Sequence, residues 1–163
     1  MSRVKYLLTL WIVMASVSAF AGPAKVGDFA LLDSTGRFHQ LSYYGDQQAV
    51  VITAQAASAL ARVDTLKALQ SIDDQLDAAE VEFFVLTIGA DSLRDDMNAK
   101  LNAADATFPI LMDPTGIVAD DLGLNQGGDS VAINAQTLAQ QSHGDLAAVT
   151  ASLSAGVPLT AAA

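Results

Sequence analysis

Residues 49–70 read AVVITAQAASALARVDTLKALQ. Ala49 to Thr53 form a short, β-branched apolar run with no polar alternation, the pattern of a strand buried on both faces. From Leu60 the period changes. Val63, Leu66, Leu69, Ile72 and Leu76 recur at threes and fours, with Lys67, Asp73, Asp74 and Asp77 turned outward, as in an amphipathic helix. A buried strand entering a helix through a short loop predicts a strand–helix crossover, and α/β folds place their chemistry at that junction. Here the junction offers only Gln55 and Ser58 among four alanines.

The flanking sequence extends the alternation. Phe29 to Asp33 and Phe38 to Leu41 read as strands joined by the turn residues Ser34-Thr35-Gly36. Val81 to Ile88 and Val131 to Asn134 are further buried strands, and a last strand lies within Thr137 to Gln141. Phe108 to Met112 is a weaker candidate, because Pro109 cannot donate to a ladder. Asp91 or Ser92 caps a second helix with Leu93, Met97 and Leu101 on one face. A third helix runs from about Thr115 and stops at Gly123. A fourth is capped by Asp145, buries Leu146, Val149 and Leu153, and ends at Gly156 with Pro158 beyond. The order predicts a mostly parallel sheet covered on both faces, followed by a flexible tail over residues 156–163.

Residues 1–21 have the layout of a signal peptide. Arg3 and Lys5 precede an apolar run from Tyr6 to Phe20, and Ala19-Phe20-Ala21 is a small-residue cleavage pattern. The run falls short of the roughly 20 residues that a spanning helix needs. We therefore expect cleavage after Ala21, a periplasmic or secreted protein, and no membrane insertion afterwards. Residues 22–163 keep six basic against eighteen acidic residues, a net charge of −12. Such a chain is repelled by phosphate backbones, which excludes nucleic acid as a partner. Leu101 to Ala163 contains no Lys or Arg. Solubility alone accounts for that asymmetry, and a face that meets a basic protein or peptide partner is the functional alternative. A homodimer is left open. There is no cysteine, which removes every thiol-based mechanism.

Four segments carry a family resemblance. VGDFALLDSTGRFHQLSYYGDQQAVVIT, VEFFVLTIGADS, FPILMDPTGIVADDLGL and DSVAINAQT resemble, in order, pieces of the thioredoxin-like superfamily, in its peroxiredoxin or redoxin (AhpC/TSA) branch. The third is the most specific. The resemblance implies a three-layer α/β/α sandwich with a central mixed β-sheet and an N-terminal β-hairpin, over residues 22–155. It also implies a catalytic cysteine at the start of the helix after the core strand, its thiolate stabilised by the helix dipole. Aligning Arg62 with an arginine found in some members puts Ser58 at the cysteine position. An alcohol stays protonated at neutral pH and has no comparable oxidation ladder, so Ser58 cannot run that cycle. Gln55 and Val51 stand where the branch prefers Thr and Pro. Gly127-Gly128-Asp129-Ser130 replaces the expected cis-proline or catalytic arginine.

Other chemistries find little support. Ser58 has no G-x-S-x-G context, and the two histidines, His39 and His143, are distant in sequence. Adjacent acidic pairs such as Asp120-Asp121 point in different directions on a helix, so no metal site is expected, and no cofactor. Gln126-Gly127-Gly128 precedes a strand instead of opening a helix and reads as a turn, not a phosphate loop. Helix-start amides from Ser58 to Ala61, with Arg62, are the remaining anion-facing feature. Gln55, Ser58, Arg62, Gly127, Gly128 and Asp129 therefore form the candidate degenerate active site or ligand pocket. The expectation is a binding, accessory or regulatory protein that is not an enzyme. The alternatives are a thiol-peroxidase-like antioxidant by descent and a pseudo-subunit that pairs with an active redoxin.

Overall fold

The computed structural model describes residues 24–88 and 94–154. The segments expected to be a signal peptide, the Asp91–Ser92 cap with Leu93, and a tail from Gly156 lie outside them.

A β-hairpin opens the described chain: β1 (Ala30–Asp33) pairs antiparallel with β2 (Phe38–Gln40). Its turn forms because Asp33 Oδ1 accepts from Thr35 N at 2.8 Å and Arg37 N at 2.9 Å, while Gly36 supplies φ +87°. A 3-10 turn (Leu41–Tyr44) leads to β3 (Ala49–Gln55), α1 (Ala57–Leu60), α2 (Val63–Asp77) and β4 (Val81–Thr87). Then come α3 (Arg94–Ala104), β5 (Ile110–Met112), α4 (Ile117–Leu122), β6 (Gly127–Asn134), β7 (Gln140–Asp145) and α5 (Leu146–Ser154).

The strands form one sheet in the order β2-β1-β5-β4-β3-β6-β7. β3, β4 and β5 are parallel and the other pairs antiparallel, so the sheet is mixed. Alternation along β3 sends Ala49 and Val51 to one core and Val50 and Ile52 to the other. The first core packs α1, α2, α3 and α5 through Leu60, Leu66, Met97 and Val149. The second packs α4 through Val118 and Leu122, and receives Val26, Phe29 and Tyr44 from the N-terminal segment. This is the three-layer α/β/α sandwich, with a mixed sheet and an N-terminal hairpin. The segment before β1 also bridges to the far edge, where Gln140 N donates to Ala24 O at 2.8 Å.

Three local expectations change. The helix expected from Leu60 is two helices, broken where Arg62 leaves the helical region (φ −100°, ψ 121°). The break lets Leu60 and Leu66 both reach 0% exposure while Val63 stays 39% exposed. Gly127-Gly128 is the start of β6 instead of a turn, because Gly127 pairs with Gln55 across a bulge in β3. The last strand, expected within Thr137 to Gln141, runs instead from Gln140 to Asp145, because Asn134 Oδ1 accepts from Gln136 N and Thr137 N and holds a turn before it. Asp145 caps α5 as expected, accepting from Ala148 N at 2.7 Å.

Candidate functional site

The β3–α1 junction is closed by its own backbone. Ala56, with φ −67° and ψ 144°, is the N-cap of α1, and alanine has no side-chain acceptor to offer. Ser58 is the second helical residue and not the cap; it is exposed, and its hydroxyl has no partner among the described residues. Ala59 N and Leu60 N both donate to Ala56 O, at 2.9 and 3.2 Å, and Ala61 N donates to Ala57 O at 3.0 Å. Three of the four amides expected to face a ligand are therefore spent inside the turn. Arg62 is exposed at the N-cap of α2, and no described residue pairs with its guanidinium.

Beside this turn, β6 completes the wall. Gln55 pairs with Gly127, and Ala56 N donates to Gln126 O at 3.1 Å. Gly128 adopts φ +101°, and a Cβ there would stand 3.4 Å from Gln55 Nε2, so only glycine fits easily. Gln55 Nε2 donates to Thr53 Oγ1 at 3.3 Å, and Ser130 Oγ lies 2.9 Å from the same oxygen. Thr53 and Ser130 are fully buried. Thr87 is buried too, two residues past the pairing partner of Thr53, and its hydroxyl has no partner among the described residues. Asp129 is turned away, accepting from Asn125 N at 3.2 Å and Asn125 Nδ2 at 2.8 Å. Those two donors hold its carboxyl below the usual carboxylate range.

The structure thus brings Gln55, Gly127 and Gly128 into direct contact. Ser58 and Arg62 stand exposed on the neighbouring turn, and Asp129 anchors the loop before β6. Thr53, Thr87 and Ser130, which sequence reading left out, line the inner side. Their signal was present as polar residues in otherwise apolar strands.

Neither histidine serves Ser58. His143 Nε2 lies 3.1 Å from Gly123 O. His39 sits on the opposite face of the sheet from α1, edge-on to Phe84 of the second core. It belongs to a buried chain that sequence reading also missed. His39 Nε2 lies 2.8 Å from Asp33 Oδ2 and Nδ1 lies 2.6 Å from Tyr44 Oη. Burial opposes ionisation of Asp33, but hydrogen bonds from Thr35, His39 and the Arg37 backbone outweigh it and hold the carboxyl low. An ionised Asp33 accepts only, so Nε2 must donate to it; in the neutral ring Nδ1 then accepts from the Tyr44 hydroxyl. Burial, then the charge of Glu82, push that phenol up to about 12, so it stays protonated. Among the described residues no group of three His, Asp or Glu side chains is placed to hold a metal ion.

A model of the AhpC/TSA family matches residues 23–144. None of the curated proteins matches the chain. Among solved structures, a thiol-disulfide oxidoreductase from Bacteroides fragilis is similar with TM-score 0.64 and 11% identity, over 81% of this chain and 98% of that one. Peroxidoxin BcpB from Mycobacterium tuberculosis gives 0.61 and 16%, over 76% and 84%. The exposed lipoprotein thioredoxin Etrx1 from Streptococcus pneumoniae gives 0.59 and 18%, over 73% and 89%. At these identities the likeness is one of fold.

Proposed function

The chain belongs to the AhpC/TSA family and contains no cysteine, and from that premise we propose that it is an exported redoxin-fold protein that acts by binding, as an accessory or regulatory component. The observation that carries the reading is the state of the β3–α1 junction. Where the family's resemblance puts a thiolate stands Ser58, without a base, beside a turn whose amides bond to their own carbonyls. Thiol peroxidase, disulfide reductase and isomerase cycles all pass through a thiolate, so this chain runs none of them.

Gln55, Ser58, Arg62, Gly127, Gly128 and Asp129 mark the degenerate site, and the partner is a protein or peptide that carries positive charge, matching the acidic chain. Export rests on the basic start, the short apolar run and the Ala19-Phe20-Ala21 pattern. Hydroperoxide consumption with added thiol tests the first point: the expected rate equals that of a heat-inactivated sample. Turnover that scales with this protein alone overturns the reading. N-terminal sequencing of the cellular protein tests the second, with Gly22 expected first and Met1 in a membrane fraction as the contrary result.

A further inference from the structure

A crevice of about 410 Å³ separates the β1–β2 turn from α3 and the loop that follows it. None of the residues that line it belongs to the β3–α1 junction. The turn and α3 are tied across it by Asn98 Nδ2, which donates to Ser34 O at 2.8 Å. Its floor is apolar, with Leu101 and Phe108 7% and 2% exposed.

Its polar groups are unusually idle. Ser34 is only 3% exposed, yet its hydroxyl has no hydrogen-bond partner among the described residues. Asn98 Oδ1 is shut off from solvent and lacks a donor among the described residues. Among the described residues, exposed Asn102 at the same crevice has no carboxamide partner, and Arg37 contributes an exposed guanidinium that forms no ion pair, although its charge partly offsets the raised Glu82 carboxyl. A buried polar group left without a partner costs about 1–3 kcal/mol, so native structures rarely leave an atom such as Asn98 Oδ1 without a use. An apolar floor with a few convergent polar groups is the common form of a small-ligand site.

We propose that this crevice binds the terminal carboxylate and last amide of a peptide chain. The carboxylate meets Arg37, the geometry guanidinium favours. A small turn of the Asn98 side chain toward the crevice lets the amide N–H supply the donor that its Oδ1 lacks, the Ser34 hydroxyl and Asn102 take the remaining polar atoms, and the last side chain rests beside Leu101 and Phe108. Asp33 also lines the crevice, but its carboxylate already accepts from Thr35, the Arg37 backbone and His39. A second crevice shares Thr107, Phe108 and Pro109 and is lined by Asp73, Asp74, Asp77 and Glu82. Those acids oppose a dianion more than a singly charged carboxylate, so inorganic phosphate is the poorer ligand.

This deepens the binding reading and rests on it, but the two fail separately, since the turnover assays do not involve the crevice. The test is an amide-resolved NMR titration with N-acetyl-Ala-Ala bearing a free carboxylate, its C-terminal amide, and inorganic phosphate. Saturable shifts are expected at Ser34, Thr35, Arg37, Asn98 and Thr107 with the carboxylate, about tenfold weaker with the amide. Phosphate should leave those signals unmoved. Arg37→Gln should weaken carboxylate binding about tenfold with the rest of the spectrum native, and Arg37→Lys should keep part of it. The proposal is overturned by no saturable shift up to about 50 mM, the millimolar range expected of a weak peptide site. Equal response to acid and amide, or binding unchanged in Arg37→Gln, overturns it as well.

Discussion

The β3–α1 junction and the hairpin beneath Tyr44 are both polar interruptions in a largely apolar molecule, and they are built in opposite ways. In the hairpin, Asp33 and His39 are 3% and 5% exposed, and every ring nitrogen and both carboxylate oxygens are partnered at 2.6–2.9 Å. At the junction Ser58 and Arg62 are exposed and have no side-chain partner among the described residues, and Gln55 makes one long contact of 3.3 Å. A buried, fully satisfied network is costly to disturb, because removing one member strands the others. An exposed turn that closes on its own backbone imposes almost nothing on its side chains. The difference teaches where this chain tolerates change: exposed Ser58 and Arg62 contribute little to stability, while the hairpin network and the two cores hold the architecture.

The largest effect should come from the hairpin. His39→Ala leaves the Asp33 carboxylate one donor short and the Tyr44 hydroxyl without an acceptor, and should cost about 3 kcal/mol in urea unfolding. Tyr44→Phe removes only the outer bond and should cost about 1 kcal/mol. A His39→Ala loss below that of Tyr44→Phe would break the comparison, since the network would then be ornamental to stability.

A smaller effect is expected at Glu82, which lies near the hairpin but lacks its compensation. Burial, then the charges of Asp73 and Asp77, push its carboxyl from 4.5 to about 7. The folded state therefore keeps a proton that the unfolded chain releases, and stability falls as pH rises between those two values. Glu82→Gln should be more stable than the parent protein at pH 8 by on the order of 1 kcal/mol, after discounting for partial exposure, with the gain fading by about pH 5. Thermal unfolding across that range checks it. Asp33 has the opposite sign: its stabilisation is present above the ordinary carboxylate value and is lost as pH falls through its lowered one. A Glu82→Gln gain that grew toward acid would mean the two carboxyls had been assigned the wrong way round.

The junction should give the least. Ser58→Ala and Ser58→Cys should each change stability by less than about 0.5 kcal/mol, as surface substitutions do. The new thiol should alkylate with iodoacetamide, yet hydroperoxide consumption should match the unaltered protein, because Gln55 and Gly127-Gly128 supply none of the family's peroxide-orienting groups. Turnover restored by this one substitution would show that only a single atom had been lost, and would sharpen the comparison in the other direction.

Much of this was legible in the residues. The apolar runs at β3, β4 and β6 announced strands buried on both faces, and the period change after Leu60 announced a helix on top of them. Missing cysteine is visible without any structure. The helix break at Arg62 was not legible, because Val63 keeps the apolar spacing although it ends 39% exposed. β7 was misplaced because its sequence, QQSHGD, is polar; it is a half-covered edge strand held by its ladder to β6. The candidate site was read as a set of positions, and the structure joined Gln55, Gly127 and Gly128 by strand pairing that no local signal encodes.

The sequence by itself determined the strand–helix order, the family and the absence of thiol chemistry, since periodicity, motif spacing and composition are properties of the chain alone. Only the tertiary structure decided which amides at the junction remain free, that Asp33, His39 and Tyr44 form one chain, and that Ser34, Arg37 and Asn98 border a common crevice. Those facts depend on which hydrogen-bond donors and acceptors meet after distant segments pack, and a donor's partner is set by distances of a few tenths of an ångström that no linear pattern records.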